Sequence, residues 1–162
     1  MAFDITPYVD KTPAEVRALC RDGVIDFPTA GMCRGYAQAN LVILPPEYAA
    51  DFEEFAKKNP FPCPILEIIK GTPDTHAMGE GGNICTDIPR YRIYENGVFT
   101  KELTDVSSYW KEGYVGFLIG CSKKESKSVT FPRDVTYQCL RRISKPFLLD
   151  HFPVLWYAPC AR

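Results

Sequence analysis

Two arginines stand two residues apart in Thr86-Asp87-Ile88-Pro89-Arg90-Tyr91-Arg92-Ile93-Tyr94. On an extended strand, side chains alternate between faces, so Arg90 and Arg92 share one face with Tyr94. A guanidinium is a planar fork of donors, and two of them side by side can converge on a carboxylate. The same pair reads equally as the solvated face of a hairpin, and the pattern alone does not separate the two. A second polar set, Tyr36, Gln38 and Asn40, alternates in the same way on the approach to an apolar run, Leu41 to Leu44. It forms either a polar wall for a ligand or a set of partners for loop backbone. Cys121 and Ser122 follow the nearly uncharged run Tyr114 to Gly120. At the end of a central strand they are candidates for a nucleophile, a proton relay or an oxyanion donor, with an inert buried thiol as the alternative for Cys121.

The elements that must position these groups are legible from their punctuation. Thr29-Ala30-Gly31-Met32-Cys33-Arg34-Gly35 is a glycine-containing loop, in which Gly31 and Gly35 permit backbone angles closed to other residues. It leads into the strand Leu41 to Leu44, which Pro45 and Pro46 stop. Thr12-Pro13-Ala14-Glu15 is a capping box with proline at the first helical position, and Gly23 supplies the stop. Pro46 opens a second helix with Tyr48, Phe52 and Phe55 on one stripe, closed by Asn59-Pro60. Ile65 to Ile69 is a strand carrying Glu67. The stretch from Gly71 to Cys85 is a long loop, and Gly79-Glu80-Gly81-Gly82 within it lacks the lysine of a phosphate-binding loop, so it reads as a mobile loop or lid. Asn96-Gly97 between two β-rich runs is a hairpin signal. Tyr114 to Gly120 has the profile of a strand buried on both faces, and ligands of open α/β sheets sit beyond such strands.

The totals set bounds on function. A chain of 162 residues with 46% hydrophobic and 24% charged content suits one globular domain. A net charge of -1 gives no argument for nucleic acid or an anionic membrane as partner. No apolar run reaches the length of a membrane-spanning helix. Seven cysteines, at 20, 33, 63, 85, 121, 139 and 160, contain no C-x-x-C, which argues against a zinc site and a disulfide framework. The expected setting is a reducing cytosol, and Met1 to Asp10 shows no secretory or transit pattern.

Four motifs occur in order: TAGMCRGYAQANLVILP, NPFPCPILEI, TDIPRYRIY and FLIGCS. Together they closely resemble the family of “putative hydro-lyases” that includes D-glutamate cyclase, over Thr12 to Ser122. The resemblance implies an α/β fold, a mixed sheet with flanking helices, as an incomplete version of a larger single-domain fold. It implies loss of water from a small carboxylic or amino acid. For D-glutamate the amine attacks the side-chain carboxyl and gives 5-oxo-D-proline. That reaction needs a cationic clamp, a base for the ammonium proton and an acid for the departing water. Arg90 and Arg92 resemble the clamp, with Asn40, Gln38 and Tyr36 orienting the substrate. Asp87, Glu67, Cys121 and Ser122 are then the proton-transfer groups. No metal or organic cofactor is implied, and the resemblance leaves a mitochondrial setting open.

Beyond Ser122 the chain departs from the family. Residues 1–122 read as the N-terminal part of a domain of this family, and 123–162 as a divergent tail. Recombining the third base of each codon with the first two bases of the next lets Arg133 to Ser144 encode G-C-N-V-P-M-F-K-T-N-I. Leu149 to Cys160 likewise permits G-P-F-S-G-x-M-V-x-S-M, and both resemble family segments. The tail is therefore expected to be an out-of-frame reading, its apolar residues lacking strand or helix period, with low local stability from Lys123 onward. The strand Tyr114 to Gly120 is then expected to lack its usual cover. Two further readings stand beside the enzyme: a truncated inactive fragment, and a non-catalytic acid-binding or interaction module built on the Arg90/Arg92 hairpin.

Overall fold

The computed structural model describes residues 3–36, 38–60, 63–95 and 97–120, together with the backbone of 154–156. Helix α1 spans Pro13–Arg21 and α2 spans Pro46–Lys58. The strands are β1 (Ala39–Leu44), β2 (Ile65–Lys70), β3 (Tyr91–Glu95), β4 (Val98–Leu103), β5 (Val115–Gly120) and β6 (Val154–Trp156). They form one sheet in the order β2-β5-β1-β6-β3-β4. Every pairing described is antiparallel. The α/β character is as expected, but the rule that places ligands beyond parallel strands has no purchase on these pairings.

The local signals produce the elements they predict. Thr12 accepts the Glu15 amide at 3.3 Å while Glu15 Oε2 accepts the Thr12 amide at 2.8 Å, closing the capping box. The chain turns away after α1 with Gly23 at φ 72°, and the β3–β4 hairpin turns with Gly97 at φ 73°. Gly31 and Gly35 both sit at φ 89°.

The two faces of the sheet are covered differently. Val42, Leu44, Phe117 and Ile119 pack against Ala49, Phe52 and Ala56 of α2. Phe52 meets Phe117 edge-on with ring centroids 4.9 Å apart. On the other face Leu41, Ile43, Leu118, Tyr91 and Ile93 lie under Ile84, Cys85 and Val106. β5 is thus buried on both faces, with Phe117 fully enclosed, so cover for this strand comes from α2 and from the 71–90 segment. Glycine at 116 has a packing reason, since a Cβ there would run into Ile84 Cδ1. A third cluster joins Val16 and Cys20 of α1 to Ile25, Met32 and Cys33.

Strand β6 differs from expectation. Val154–Trp156 lies between β1 and β3, with Val42 and Arg92 both opposite Trp156. Two strand edges with unpaired N–H and C=O groups accept any extended segment offered to them, whatever its origin. Pairing therefore needs less of the sequence than the periodic pattern whose absence argued against a strand.

Candidate functional site

The register through β6 sets the geometry of the arginine face. Val42 and Arg92 stand on one face, each opposite Trp156. Counting two residues back along β1 and the segment leading into β3 puts Asn40 level with Arg90. They are separated by two strand spacings, roughly 10 Å. Arg92 Nε donates to Glu102 Oε1 at 2.8 Å, and Arg90 Nη1 donates to Glu102 Oε2 at 3.2 Å. Arg90 is also anchored to the loop before Thr29: its Nε donates to the Asp26 carbonyl at 2.7 Å and its Nη2 to Asp26 Oδ2 at 2.9 Å. From the same loop Thr29 Oγ1 accepts Gln38 Nε2 at 3.1 Å. The structure thus gathers Gln38, Asn40, Arg90 and Arg92 toward one end of one sheet face. Asn40 is half-buried and Tyr36 is exposed. Gly120, at the end of β5, pairs with Ala39 beside this group. Cys121 and Ser122 lie outside the described residues.

The carboxylate of Glu102 is held below the usual range, first by the Arg92 hydrogen bond and further by Arg90. Both guanidinium groups are pushed up in turn, Arg90 chiefly by Asp26 and Arg92 chiefly by Glu102. The network sets two guanidinium groups against two carboxylates.

Glu67 and Asp87 lie elsewhere. A bulge between Ile65 and Glu67 sets Glu67 opposite Leu118, on the face under the 71–90 segment. There its carboxylate accepts the amides of His76, Ala77 and Met78 at 2.8, 3.1 and 2.9 Å. Asp87 is buried against α1: Arg21 Nε and Nη2 each reach it at 2.8 Å, the Asn83 amide at 3.0 Å and Thr86 Oγ1 at 2.7 Å. Arg17 Nε stands 3.8 Å from Oδ2, and Arg17 Nη2 donates to the Glu80 carbonyl at 3.2 Å. Neither carboxylate shares a hydrogen bond or ion pair with Arg90, Arg92, Gln38 or Asn40. The segment read as a mobile lid is instead pinned: the Thr75 amide donates to Gly82, the Ile84 amide to Pro73, and the Glu67 carboxylate holds its turn.

No family model matches the chain. Individual proteins do. A “Putative hydro-lyase” of Clostridium beijerinckii is 52% identical over 116 residues, covering 71% of this chain and 44% of that protein. “Putative hydro-lyase YcsI” of Bacillus subtilis is 50% identical over 111 residues, 68% of this chain and 43% of that protein. A “Putative hydro-lyase” of Stutzerimonas stutzeri is 46% identical over 121 residues, 74% and 46% of the two chains. The chain belongs to this hydro-lyase family. It spans less than half the length of these relatives.

Several groups that shape the site carry no motif. Glu102 and Asp26, which neutralise the arginines, and Arg17 and Arg21, which fix Asp87, stand out in the sequence only as ordinary surface charges. Cys20 and Cys85 are poor nucleophiles, since burial pushes both thiols up to about 12. Among the described residues no group of three or more His, Cys, Asp or Glu side chains is placed to hold a metal, and no helix is long and apolar enough to cross a membrane.

The Glu67 turn yields a prediction. Burial of the carboxyl opposes ionisation, but the three amide bonds together outweigh it, and the net shift is downward. A depressed folded pKa means that the stabilisation is present above the unfolded value, about 4.3, and is lost as pH falls through the folded one. Glu67→Gln keeps the shape and removes the charge that three donors share. Protection factors of the His76 to Met78 amides are expected to fall about tenfold or more in the variant. The same loosening is expected in the unsubstituted chain as pH falls below the ordinary glutamate range. Unchanged protection measured by hydrogen exchange would show that other contacts hold the turn.

Proposed function

We propose that this chain carries the carboxylate-binding part of a hydro-lyase site whose substrate is D-glutamate, converted to 5-oxo-D-proline and water. The supporting observation is that Arg90 and Arg92 already grip one carboxylate, Glu102, between them on the face shared with Asn40. In this reading Arg92 takes a substrate carboxylate, Arg90 flanks it, and Asn40 and Gln38 orient the amino acid, with Tyr36 at the exposed margin. The substrate ammonium must lose one proton to become the attacking amine and a second as the amide forms, and the side-chain carboxylate must gain two before one of its oxygens leaves as water. Cys121 and Ser122, next in sequence after Gly120, are the proton-transfer candidates. Glu67 and Asp87, saturated by amides and by Arg21, hold the surrounding loop in position. The free thiols of Cys20, Cys33 and Cys85 support a reducing compartment such as the cytosol.

Calorimetric titration of the 162-residue chain with D-glutamate tests the reading, alongside chromatographic detection of 5-oxoproline. Saturable binding of D-glutamate, and no binding of a simple amine without carboxylates, is the expected result. Absence of any carboxylate binding would sink it. The separation of Glu67 and Asp87 from the arginine face favours a second reading, an acid-binding module without turnover. Binding with no 5-oxoproline formed would select that one.

A further inference from the structure

We propose that Glu102 is an internal stand-in for the ligand carboxylate, and that an incoming small carboxylic acid binds by displacing it from Arg92. The inference rests on the carboxylate-site reading above and adds the event that opens the site. Four observations carry it. Glu102 bridges the two guanidinium groups with one oxygen on each, the arrangement a ligand carboxylate would adopt. The two arginines are held unequally: Arg90 keeps both Asp26 oxygens when Glu102 leaves, whereas Arg92 loses its carboxylate and keeps the neutral Tyr94 hydroxyl beside it. With Asp26 and Glu102 in place the four charges cancel, so an anion gains net attraction only when one carboxylate moves away. Finally, the Arg92 and Glu102 side chains are 43% and 31% exposed, and ion pairs in contact with water contribute little, so exchange of one carboxylate for another is nearly balanced.

The backbone supports the same role. Glu102 stands on β4, at the edge of the sheet. A bulge between Ile93 and Tyr94 shifts the hairpin register so that Glu102, not Lys101, lies opposite Arg92. Bulges re-aim side chains in this manner next to sites. A residue on an exposed edge strand has room to swing out without disturbing the core.

Glu102→Gln, which keeps size and loses charge, is expected to tighten D-glutamate binding about two- to fivefold, the range set by an exposed ion pair. Glu102→Ala, which leaves no acceptor, is expected to act in the same direction. In the unsubstituted chain, saturating D-glutamate should shift the Arg92 Nε resonance in ¹⁵N spectra more than that of Arg90. Tighter binding in both variants, with that shift, supports displacement. Binding by the unsubstituted chain that is equal or weaker in the variants would overturn it while leaving the carboxylate site intact. No binding by any of the three proteins would overturn the site itself, and displacement with it.

Discussion

Asp87→Ala is expected to lower the stability of the chain by about 2–4 kcal/mol, the largest single-site effect among the polar residues described. Its side chain is 3% exposed and receives two Arg21 nitrogens, the Asn83 amide and Thr86. Removing a buried partner strands the donors that faced it, and breaking a buried pair in this way costs about 3–5 kcal/mol in general. The lower figure here reflects Arg21, whose side chain is 50% exposed and can turn to water. The Asn83 amide and Thr86 hydroxyl cannot follow so readily. Arg21→Ala is expected to cost less than Asp87→Ala, because Asp87 keeps Thr86, Asn83 and the neighbouring Arg17. Urea unfolding of both variants measures this. A midpoint for Asp87→Ala close to that of the unsubstituted chain would show that other contacts, such as the Arg17 bond to the Glu80 carbonyl, hold α1 to the 71–90 segment.

That result would matter for function because the family resemblance implies a proton-transfer role for Asp87. It precedes Arg90 by three residues, and nothing in the linear pattern indicates that a helix sixty-odd residues earlier supplies its partners. Local signals, in contrast, were sufficient wherever the determining contacts are local. The Thr12–Glu15 box, the Gly97 turn and the proline start of α2 each depend on neighbours within a few positions, and each forms where its residues predict. The burial of Val115 to Ile119 was legible too, because a strand without charges has no face to give to water.

What the linear reading could not supply is register. Strict alternation puts Glu67 on the same face as Ile65, the α2 side, and puts Lys101 opposite Arg92 across a two-residue turn. Two bulges reverse both assignments. One, between Ile65 and Glu67, turns Glu67 to the other face, where it holds the 76–78 turn. The other, between Ile93 and Tyr94, brings Glu102 to Arg92 in place of a lysine. A single extra residue flips every side chain beyond it, so the carboxylate that meets Arg92 and the one that holds the 76–78 turn each rest on a backbone irregularity that leaves no compositional trace.

The same register makes Arg92 the residue on which ligand binding turns. Arg92→Ala is expected to weaken D-glutamate binding about 10- to 100-fold, the range for losing charge-assisted hydrogen bonds to a carboxylate. Arg92→Lys should fall between the two, since lysine keeps the charge but not the planar fork. Arg90→Ala should also weaken binding, by a smaller factor, because three of its donors already serve Asp26 and Glu102. Folding stability should barely respond to the Arg92 substitutions, because its ion pair with Glu102 is open to water. This separates a binding effect from a folding one. Calorimetry with D-glutamate on the three variants, each checked by urea unfolding, gives the comparison. Equal affinity in Arg92→Ala and the unsubstituted chain would return the pair to the solvated hairpin face that the sequence allowed from the start, and the clamp would have to be sought in Arg17 and its neighbours.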